Sequence, residues 1–154
     1  MKVVVQRSLN SSVSVHNKVV GKIDKGLVVL VGFKYNDTIE DIKYIVNKII
    51  HLRIFDDDNH IMNKSIADIN GSVLSISQFT LYANTKKGNR PSYIEAMKSD
   101  NAKVLYELFN DEISRYVNVS KGIFQSDMKV NIVNDGPVTI VIESGDKNGE
   151  KNKL

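Results

Sequence analysis

The sequence feature that most constrains the fold is the run at residues 27–32, Leu-Val-Val-Leu-Val-Gly, which is apolar throughout. A half-exposed strand alternates apolar and polar residues, whereas a strand buried on both faces reads as a continuous apolar run. Residues 2–9 contain three consecutive valines and predict a second strand. We therefore expect residues 27–32 to form a strand that is buried on both of its faces.

Further strand signals follow along the chain. Residues 12–16 alternate with period two, residues 17–18 have the composition of a tight turn, and residues 19–23 would form the return strand. A second turn is predicted at residues 24–26. Additional strands are expected at residues 52–55, 73–76, 128–133 and 138–142.

Two amphipathic segments predict α-helices. The first covers residues 38–50, with Asp37 as the N-cap candidate and Glu40 completing a capping-box pattern. The second follows Asp100, another candidate cap. Its apolar stripe consists of Val104, Leu105, Leu108, Phe109, Ile113 and Tyr116. The order strands, helix, strands, helix, strands predicts an α+β fold with a largely antiparallel, barrel-like β-sheet and two covering helices.

Composition limits the class of protein. Residues 1–143 read as a single domain, and residues 144–154 as a polar tail that we expect to be disordered. No apolar run reaches about 18 residues, so no membrane span is expected, and the N-terminus becomes polar too soon for a signal peptide. The absence of cysteine excludes disulfides and thiolate catalysis and fits a cytoplasmic protein. The net charge of +3 is a mild hint of a polyanionic partner.

Side chains that could bind a metal or act as a base are scarce. His16, His51 and His60 show no spacing typical of a metal site or of a nucleophile–base pair. The acidic run at residues 56–58 lacks the spacing of a calcium-binding loop and predicts a solvated turn. The sequence therefore predicts no metal site and offers no obvious histidine base.

The sequence turns from mainly apolar to polar where the strand predicted at residues 73–76 ends. Ser77, Gln78 and Thr80 bring three polar side chains in four positions, and a charged loop follows. One interpretation is an edge strand that runs into a solvated hairpin loop; the other is a reaction site held by a rigid scaffold. In the second case Thr80 is a nucleophile only if a base activates it, and none is near in sequence. The alternative is an oxyanion site made by the backbone N–H groups of Phe79 and Thr80.

Gly136-Pro137 lies between two predicted strands. Proline interrupts the hydrogen-bond ladder of a sheet, and glycine permits close approach of the backbone. An X–Pro peptide bond can be trans or cis, and the sequence leaves both open.

Three motifs occur in order along the chain: Ser-Gln-Phe-Thr-Leu-Tyr-Ala at 77–83, Lys-Gly-Asn-Arg-Pro-Ser at 87–92, and Asn-Asp-Gly-Pro-Val-Thr at 134–139. Together with the opening residues 1–7 and with Asn63, they closely resemble the D-aminoacyl-tRNA deacylase family. The resemblance covers essentially the whole predicted domain.

The resemblance implies a cytoplasmic homodimer that hydrolyses the ester between a D-amino acid and the 3′ terminal ribose of tRNA, and that also removes glycine mischarged on alanine tRNA. It implies no metal and no other cofactor. The site would lie at the dimer interface, where Gly136 and Pro137 of one subunit, joined by a cis bond, screen out L-aminoacyl-tRNA at the reaction wall of the other. That wall would consist of Ser77, Gln78, Phe79 and Thr80.

Further residues follow from the resemblance and from position in the chain. Arg7 resembles an arginine that holds the Gly-Pro segment, and Met128 matches a methionine near the pocket. The loop directly after the reaction wall predicts contacts with tRNA phosphate, although a solvated loop is the alternative. The candidate contact residues are Lys86, Lys87 and Arg90.

One departure from the family pattern lies next to Phe124. The family usually has glycine and a small residue after this phenylalanine, near the adenosine pocket, whereas this chain has Gln125-Ser126. A rival interpretation is a dimeric nucleic-acid-binding protein that keeps the fold without the activity. The unbroken motif at residues 77–80 and the intact Gly136-Pro137 stand against it.

Overall fold

The computed structural model describes residues 1–145. In chain order the elements are β1 (Lys2–Val15), β2 (Lys18–Gly32), α1 (Ile39–His51), β3 (Phe55–Asp56), β4 (Met62–Lys64), β5 (Ser72–Ser77), a 3₁₀ helix (Phe79–Tyr82), α2 (Ser99–Ser114), β6 (Asn118–Lys121), β7 (Lys129–Asn131) and β8 (Asn134–Glu143). Neither α-helix of the described range is long and apolar enough to cross a membrane.

The main sheet is built on a long antiparallel hairpin of β1 and β2. The crossover through α1 returns the chain to the same end of the sheet, so β5 runs parallel to β2, and β6 in turn runs parallel to β5. On the other side, β1 pairs antiparallel with β8 and, near its end, with β7. The expected α+β class and its two helices are confirmed, whereas the sheet is mixed and, within residues 1–145, open rather than a closed barrel.

The apolar run in β2 is buried on both faces, as predicted. Leu27 and Val29 lie in the larger hydrophobic cluster, which the two helices complete. Val28 points to the opposite face and lies in a second cluster with Leu74 and Ile76 of β5. The end of β5 is therefore anchored by buried side chains in the middle of the sheet, which makes it a rigid support.

The β1–β2 hairpin is longer than predicted. Its turn lies at His16 and Asn17, one residue earlier than expected, and both residues have positive φ, 48° and 61°. The turn predicted at residues 24–26 is wrong, because these residues continue β2. Gly26 instead permits close approach of β5, since a Cβ atom at this position would lie 1.8 Å from the Ser72 carbonyl oxygen.

The N-terminus of α1 is capped one residue later than predicted. Thr38, not Asp37, is the N-cap. The Asp41 carboxylate, rather than that of Glu40, accepts hydrogen bonds from the Thr38 backbone N–H at 2.8 Å and from the Thr38 hydroxyl at 3.0 Å. Asp37 is engaged elsewhere, because it accepts a hydrogen bond from the Met1 ammonium. Because Glu40 and Asp41 are adjacent, the capping-box pattern can start at Asp37 or at Thr38, and the sequence alone allows both.

The second helix also differs from its prediction in detail. Lys98 is the N-cap, so Asp100 lies in the first turn. Val104 and Leu108 of the predicted apolar stripe are exposed. The buried positions of α2 are Ala102, Tyr106, Phe109, Asn110 and Ile113.

The packed part of the chain extends past the predicted boundary at residue 143. Ser144 is buried, its N–H donates to the Met1 carbonyl oxygen at 2.9 Å, and its hydroxyl accepts from the Met1 ammonium at 2.6 Å. Residues 146–154 of the predicted tail lie outside the described residues.

Candidate active site

The polar stretch begins at the end of β5, a strand in the interior of the main sheet. Because β5 is flanked by β2 and β6, the interpretation as an edge strand is wrong. Ser77 is the last residue of β5, and the Gln78 N–H donates to the Val31 carbonyl oxygen at 2.7 Å. The chain then turns into the 3₁₀ helix, so a rigid strand end holds the residues that follow.

A cavity of about 650 Å³ opens at this strand end. Three of the four predicted wall residues, Ser77, Gln78 and Phe79, line it, and so does Met128. Thr80 is not a lining residue. It is tied to the wall through the Gln78 side-chain amide, which donates a hydrogen bond to the Thr80 hydroxyl.

Two backbone donors at this wall lack an acceptor within residues 1–145. The Leu81 N–H donates to the Gln78 carbonyl oxygen at 3.3 Å, and the Ala83 N–H donates to that of Thr80 at 3.0 Å. The N–H groups of Phe79 and Thr80 open the 3₁₀ helix, where the first amides have no helical partner. These are the two N–H groups that the sequence analysis considered as an oxyanion site.

Aromatic side chains shape the rest of the cavity. The Phe79 ring meets that of Tyr93 edge-on, with centroids 5.0 Å apart. Phe124 also lines the cavity, and its ring centroid lies 5.8 Å from that of the buried Tyr106, whose hydroxyl donates to the Ser75 carbonyl oxygen at 2.9 Å. Burial raises the pKa of Tyr106, which keeps this hydroxyl protonated as a donor.

The opposite wall is the segment after Phe124. Gln125 has a φ of 62°, in the left-handed region that glycine adopts without strain. The resemblance led us to expect glycine at this point. The chain therefore keeps the backbone conformation typical of glycine and adds a side chain to the lining of the cavity.

The Gly136-Pro137 segment forms a bulge in β8. Gln6 pairs with Thr139 and Ser8 with Asn134, so four residues of β8 lie opposite the single residue Arg7 of β1. The peptide bond between Gly136 and Pro137 is cis. The bulge is exposed on the surface of its own chain.

Arg7 holds the base of this bulge. Its Nε donates to the Asp135 carbonyl oxygen at 3.2 Å and lies 3.2 Å from the Asp135 carboxylate. Its Nη1 donates to the Ile54 carbonyl oxygen at 2.8 Å, which fixes the guanidinium from the other side. A Cβ atom at Gly136 would lie 3.1 Å from Arg7 Nη2. These contacts connect the bulge to Ile54, the residue before β3.

The structure does not bring all the predicted site residues together within one chain. Arg7, Gly136 and Pro137 are absent from the lining of the 650 Å³ cavity. They form a second group, around the bulge of β8, separate from the reaction wall.

The predicted tRNA-contact residues lie in an exposed loop beside the wall. A pair of backbone hydrogen bonds between Asn84 and Ser92, 2.8 and 2.9 Å, closes this loop. Lys86, Lys87 and Arg90 are exposed and form no ion pair within the described residues.

Sequence reasoning missed several cavity residues. Tyr93 follows directly after the second motif, which was a usable signal. Met97, Ser99 and Asp127 carry no motif, and only the packing of α2 and of the segment before β7 brings them to the cavity.

Comparison with known proteins gives one family match and two similar solved structures. A family model described as D-Tyr-tRNA(Tyr) deacylase matches residues 4–143. A solved structure named c-Myc DNA Unwinding Element Binding Protein is 37% identical, with a TM-score of 0.88 over 93% of this chain and 98% of that chain. A structure described as a probable eukaryotic D-amino acid tRNA deacylase is 18% identical, with a TM-score of 0.80 over 92% and 98%, and this likeness shows the fold alone. Because the family model spans nearly all of the described residues, the chain belongs to the D-Tyr-tRNA(Tyr) deacylase family, whose reaction is the hydrolysis of D-aminoacyl-tRNA.

Proposed function

We propose that this protein hydrolyses the ester bond between a D-amino acid and the 3′ terminal ribose of tRNA, releasing the free D-amino acid and tRNA, and that glycine on alanine tRNA is also a substrate. The observation that carries the proposal is the cavity at the end of β5, walled by Ser77, Gln78 and Phe79. The reaction takes place in the cytoplasm, and residues 1–143 supply the activity.

The reaction is water attack on an activated ester. The water oxygen adds to the ester carbonyl carbon and gives up one proton, the bond from that carbon to the ribose oxygen breaks, and the departing ribose oxygen takes up a proton in its place. The N–H groups of Phe79 and Thr80 stabilise the negative charge that develops on the carbonyl oxygen. The neighbouring 2′-hydroxyl of the tRNA assists the proton movement. The wall therefore needs to position the substrate and stabilise charge, without a titrating side chain.

Selectivity comes from the Gly136-Pro137 segment of a partner subunit. Two features support a contribution in trans: the segment is exposed on its own chain, and it does not line that chain's cavity. Its backbone carbonyls accept from the substrate's α-ammonium and leave no space where an L side chain would point. A D side chain points elsewhere, and glycine fits because it has none. Arg7 positions the segment through Asp135.

The terminal adenosine occupies the opposite part of the cavity, beside Phe124 and Met128. Lys86, Lys87 and Arg90 lie in the loop that follows the wall and contact phosphates of the acceptor arm. The protein therefore acts as a homodimer with two sites, each built from both subunits.

The test is incubation of the purified protein with D-Tyr-tRNA, L-Tyr-tRNA and glycine charged on alanine tRNA. We expect release of D-Tyr and glycine while L-Tyr-tRNA stays intact. Hydrolysis of the L form at the same rate would overturn the screen, and an intact D form would overturn the enzymatic proposal.

A second candidate function is nucleic-acid binding without hydrolysis. It is favoured by one observation, the 37% identity to a structure named for binding a DNA unwinding element. The same preparation, tested for binding to uncharged tRNA and to duplex DNA, separates the two functions. Tight DNA binding together with an uncleaved D-Tyr-tRNA would favour this candidate.

A further inference from the structure

A second cavity, of about 300 Å³, adjoins the reaction cavity. Asp127 and Met128 line both cavities, so the two cavities share this pair of residues. The other side of the second cavity is the tip of the β1–β2 hairpin. Its remaining lining residues are Ser14, His16, Asn17 and Lys129. Its volume is at the lower end of the range for sites that hold a small ligand.

The side chains of this cavity offer unused hydrogen-bonding groups. Asp127 and Lys129 lie two residues apart and line the same space, yet they form no salt bridge with each other. Neither of them, nor His16, has a side-chain hydrogen bond or ion pair within residues 1–145. A carboxylate, an ammonium and an imidazole, all on exposed residues, thus line one cavity without contacting each other.

The backbone fixes where these groups stand. Lys129 pairs with Ser14 across the β1–β7 ladder, which ties the segment carrying Asp127 and Lys129 to the hairpin. His16 has a φ of 48° in the hairpin turn, a conformation in which histidine is enriched among non-glycine residues. The cavity is therefore bounded by the paired strands β1 and β7 and by the turn of the β1–β2 hairpin.

We propose that this cavity binds the cytidine that precedes the terminal adenosine of tRNA. The inference rests on the proposed function, which places that adenosine in the adjoining cavity beside Met128. Every tRNA acceptor end finishes in cytidine, cytidine, adenosine, so the nucleotide before the adenosine must leave the reaction cavity at a point where space continues. We place this point at Asp127 and Met128, the residues that both cavities share.

Each group has a partner in this nucleotide. The Asp127 carboxylate accepts from the exocyclic amine of cytosine, the recognition typical of acidic side chains. The His16 ring offers a surface for stacking of the base. Lys129 reaches the phosphodiester that links the cytidine to the adenosine. Uridine carries a carbonyl oxygen in place of the amine. Both this oxygen and the carboxylate are hydrogen-bond acceptors, so they cannot pair.

The test uses three synthetic esters: D-tyrosyl adenosine, and the D-tyrosyl dinucleotides cytidylyl-adenosine and uridylyl-adenosine. For the wild-type protein we expect kcat/KM to be about tenfold higher for the cytidine dinucleotide than for the uridine one, as for loss of one hydrogen bond to a charged group. Asp127→Asn should abolish this preference, because an amide can serve either base. Lys129→Gln should lower kcat/KM for both dinucleotides and leave that for D-tyrosyl adenosine unchanged.

Matched controls are Asp111→Asn and Lys103→Gln, which remove the same charges from exposed positions on α2. Both should keep the wild-type pattern. Equal hydrolysis of the two dinucleotides by the wild-type protein would overturn the cytidine site while leaving the deacylase proposal intact. Failure to cleave full-length D-Tyr-tRNA would overturn both. If only full-length tRNA is cleaved, the same comparison is made between tRNAs that differ at this one base, with the same outcomes.

Discussion

The Gln78 side-chain amide donates a hydrogen bond to the Thr80 hydroxyl. An amide is not a base at neutral pH, so this contact positions the hydroxyl and cannot take its proton. Within residues 1–145, no other side chain forms a hydrogen bond with the hydroxyl. Thr80 is therefore arranged as part of a wall rather than as an activated nucleophile.

Thr80→Ala should lower kcat without abolishing it, by about tenfold or less, since one neutral hydrogen bond is lost. Single-turnover hydrolysis of D-Tyr-tRNA measures the effect. Mass spectrometry of the native protein quenched during turnover should detect no acyl group on Thr80. An acyl-Thr80 adduct, or loss of all turnover in the variant, would contradict a mechanism based on the backbone.

Phe79→Pro should be far more damaging, because it deletes one of the two proposed oxyanion donors. Proline is tolerated at the first position of a helix, and Gln78 before it lies outside the α region that a following proline disfavours, with φ −146° and ψ 80°. We expect kcat to fall by about a hundredfold or more. Phe79→Ala is the matched control, since it removes the ring and keeps the N–H. Equal losses in the two variants would assign the effect to the ring.

Tyr106→Phe should reduce stability more than activity. The variant removes the hydroxyl that donates to the Ser75 carbonyl oxygen, which keeps a second donor, the Gly122 N–H at 3.1 Å. We expect the free energy of unfolding to fall by about 1 kcal/mol, measured by chemical denaturation. Tyr116→Phe, at an exposed position of the same chain, should change it by less than about 0.5 kcal/mol.

Local sequence patterns were sufficient for some elements and not for others. The apolar run of β2 was predictable because a strand buried on both faces needs no polar position. The place of β5 beside β2 was not, since strand partners are chosen by packing between distant segments. Gly26 shows the difference. The composition of residues 24–26 suggested a turn, whereas the missing side chain of Gly26 lets β5 lie close to β2.

The residues of the candidate site also fall into those that the sequence predicts and those that it does not. Ser77, Gln78 and Phe79 were predictable because their chemistry and their motif lie in one continuous stretch. Met97 and Asp127 reach the cavity only through the packing of distant segments, which no spacing in the sequence encodes. The capping of α1 was missed by one residue because the burial of Asp37 against the Met1 ammonium is a contact between distant parts of the chain.

Neutralising the basic loop should weaken tRNA binding and flatten its salt dependence. The variant replaces Lys86, Lys87 and Arg90 with glutamine. Each lost phosphate contact should reduce the slope of log affinity against log salt by roughly 0.9 for duplex contacts, measured by filter binding over a range of salt concentrations. The control removes the same charge from the helices, through glutamine at Lys43, Lys48 and Lys103. An unchanged slope in the loop variant would remove the loop from the tRNA contact surface.

Gly136→Ala should impair hydrolysis of D-Tyr-tRNA. Gly136 has a φ of 124°, where L side chains are strained, and a Cβ atom would lie 2.8 Å from Val138 Cγ2. The added methyl group should displace the segment that we propose as the screen. Gly88→Ala provides a stability control, because Gly88 has a φ of 70° but nothing within 4 Å of its Cβ position. Thermal melts of the two variants separate backbone strain from crowding, and unimpaired hydrolysis by Gly136→Ala would contradict the role of the segment.

A mixed dimer tests whether Gly136 acts on the partner's substrate. One subunit carries Gly136→Ala, and the other carries Phe79→Pro in the reaction wall. If each site combines the wall of one subunit with the Gly136-Pro137 segment of the other, one site of the mixed dimer holds both lesions and the other holds neither. Equal mixing with free exchange makes half of the dimers mixed, so about a quarter of all sites should regain full activity. Differently tagged subunits, purified through both tags, confirm that mixed dimers are present. If each site were built from one chain, every site would keep one lesion, and activity would stay at the average of the two parent variants.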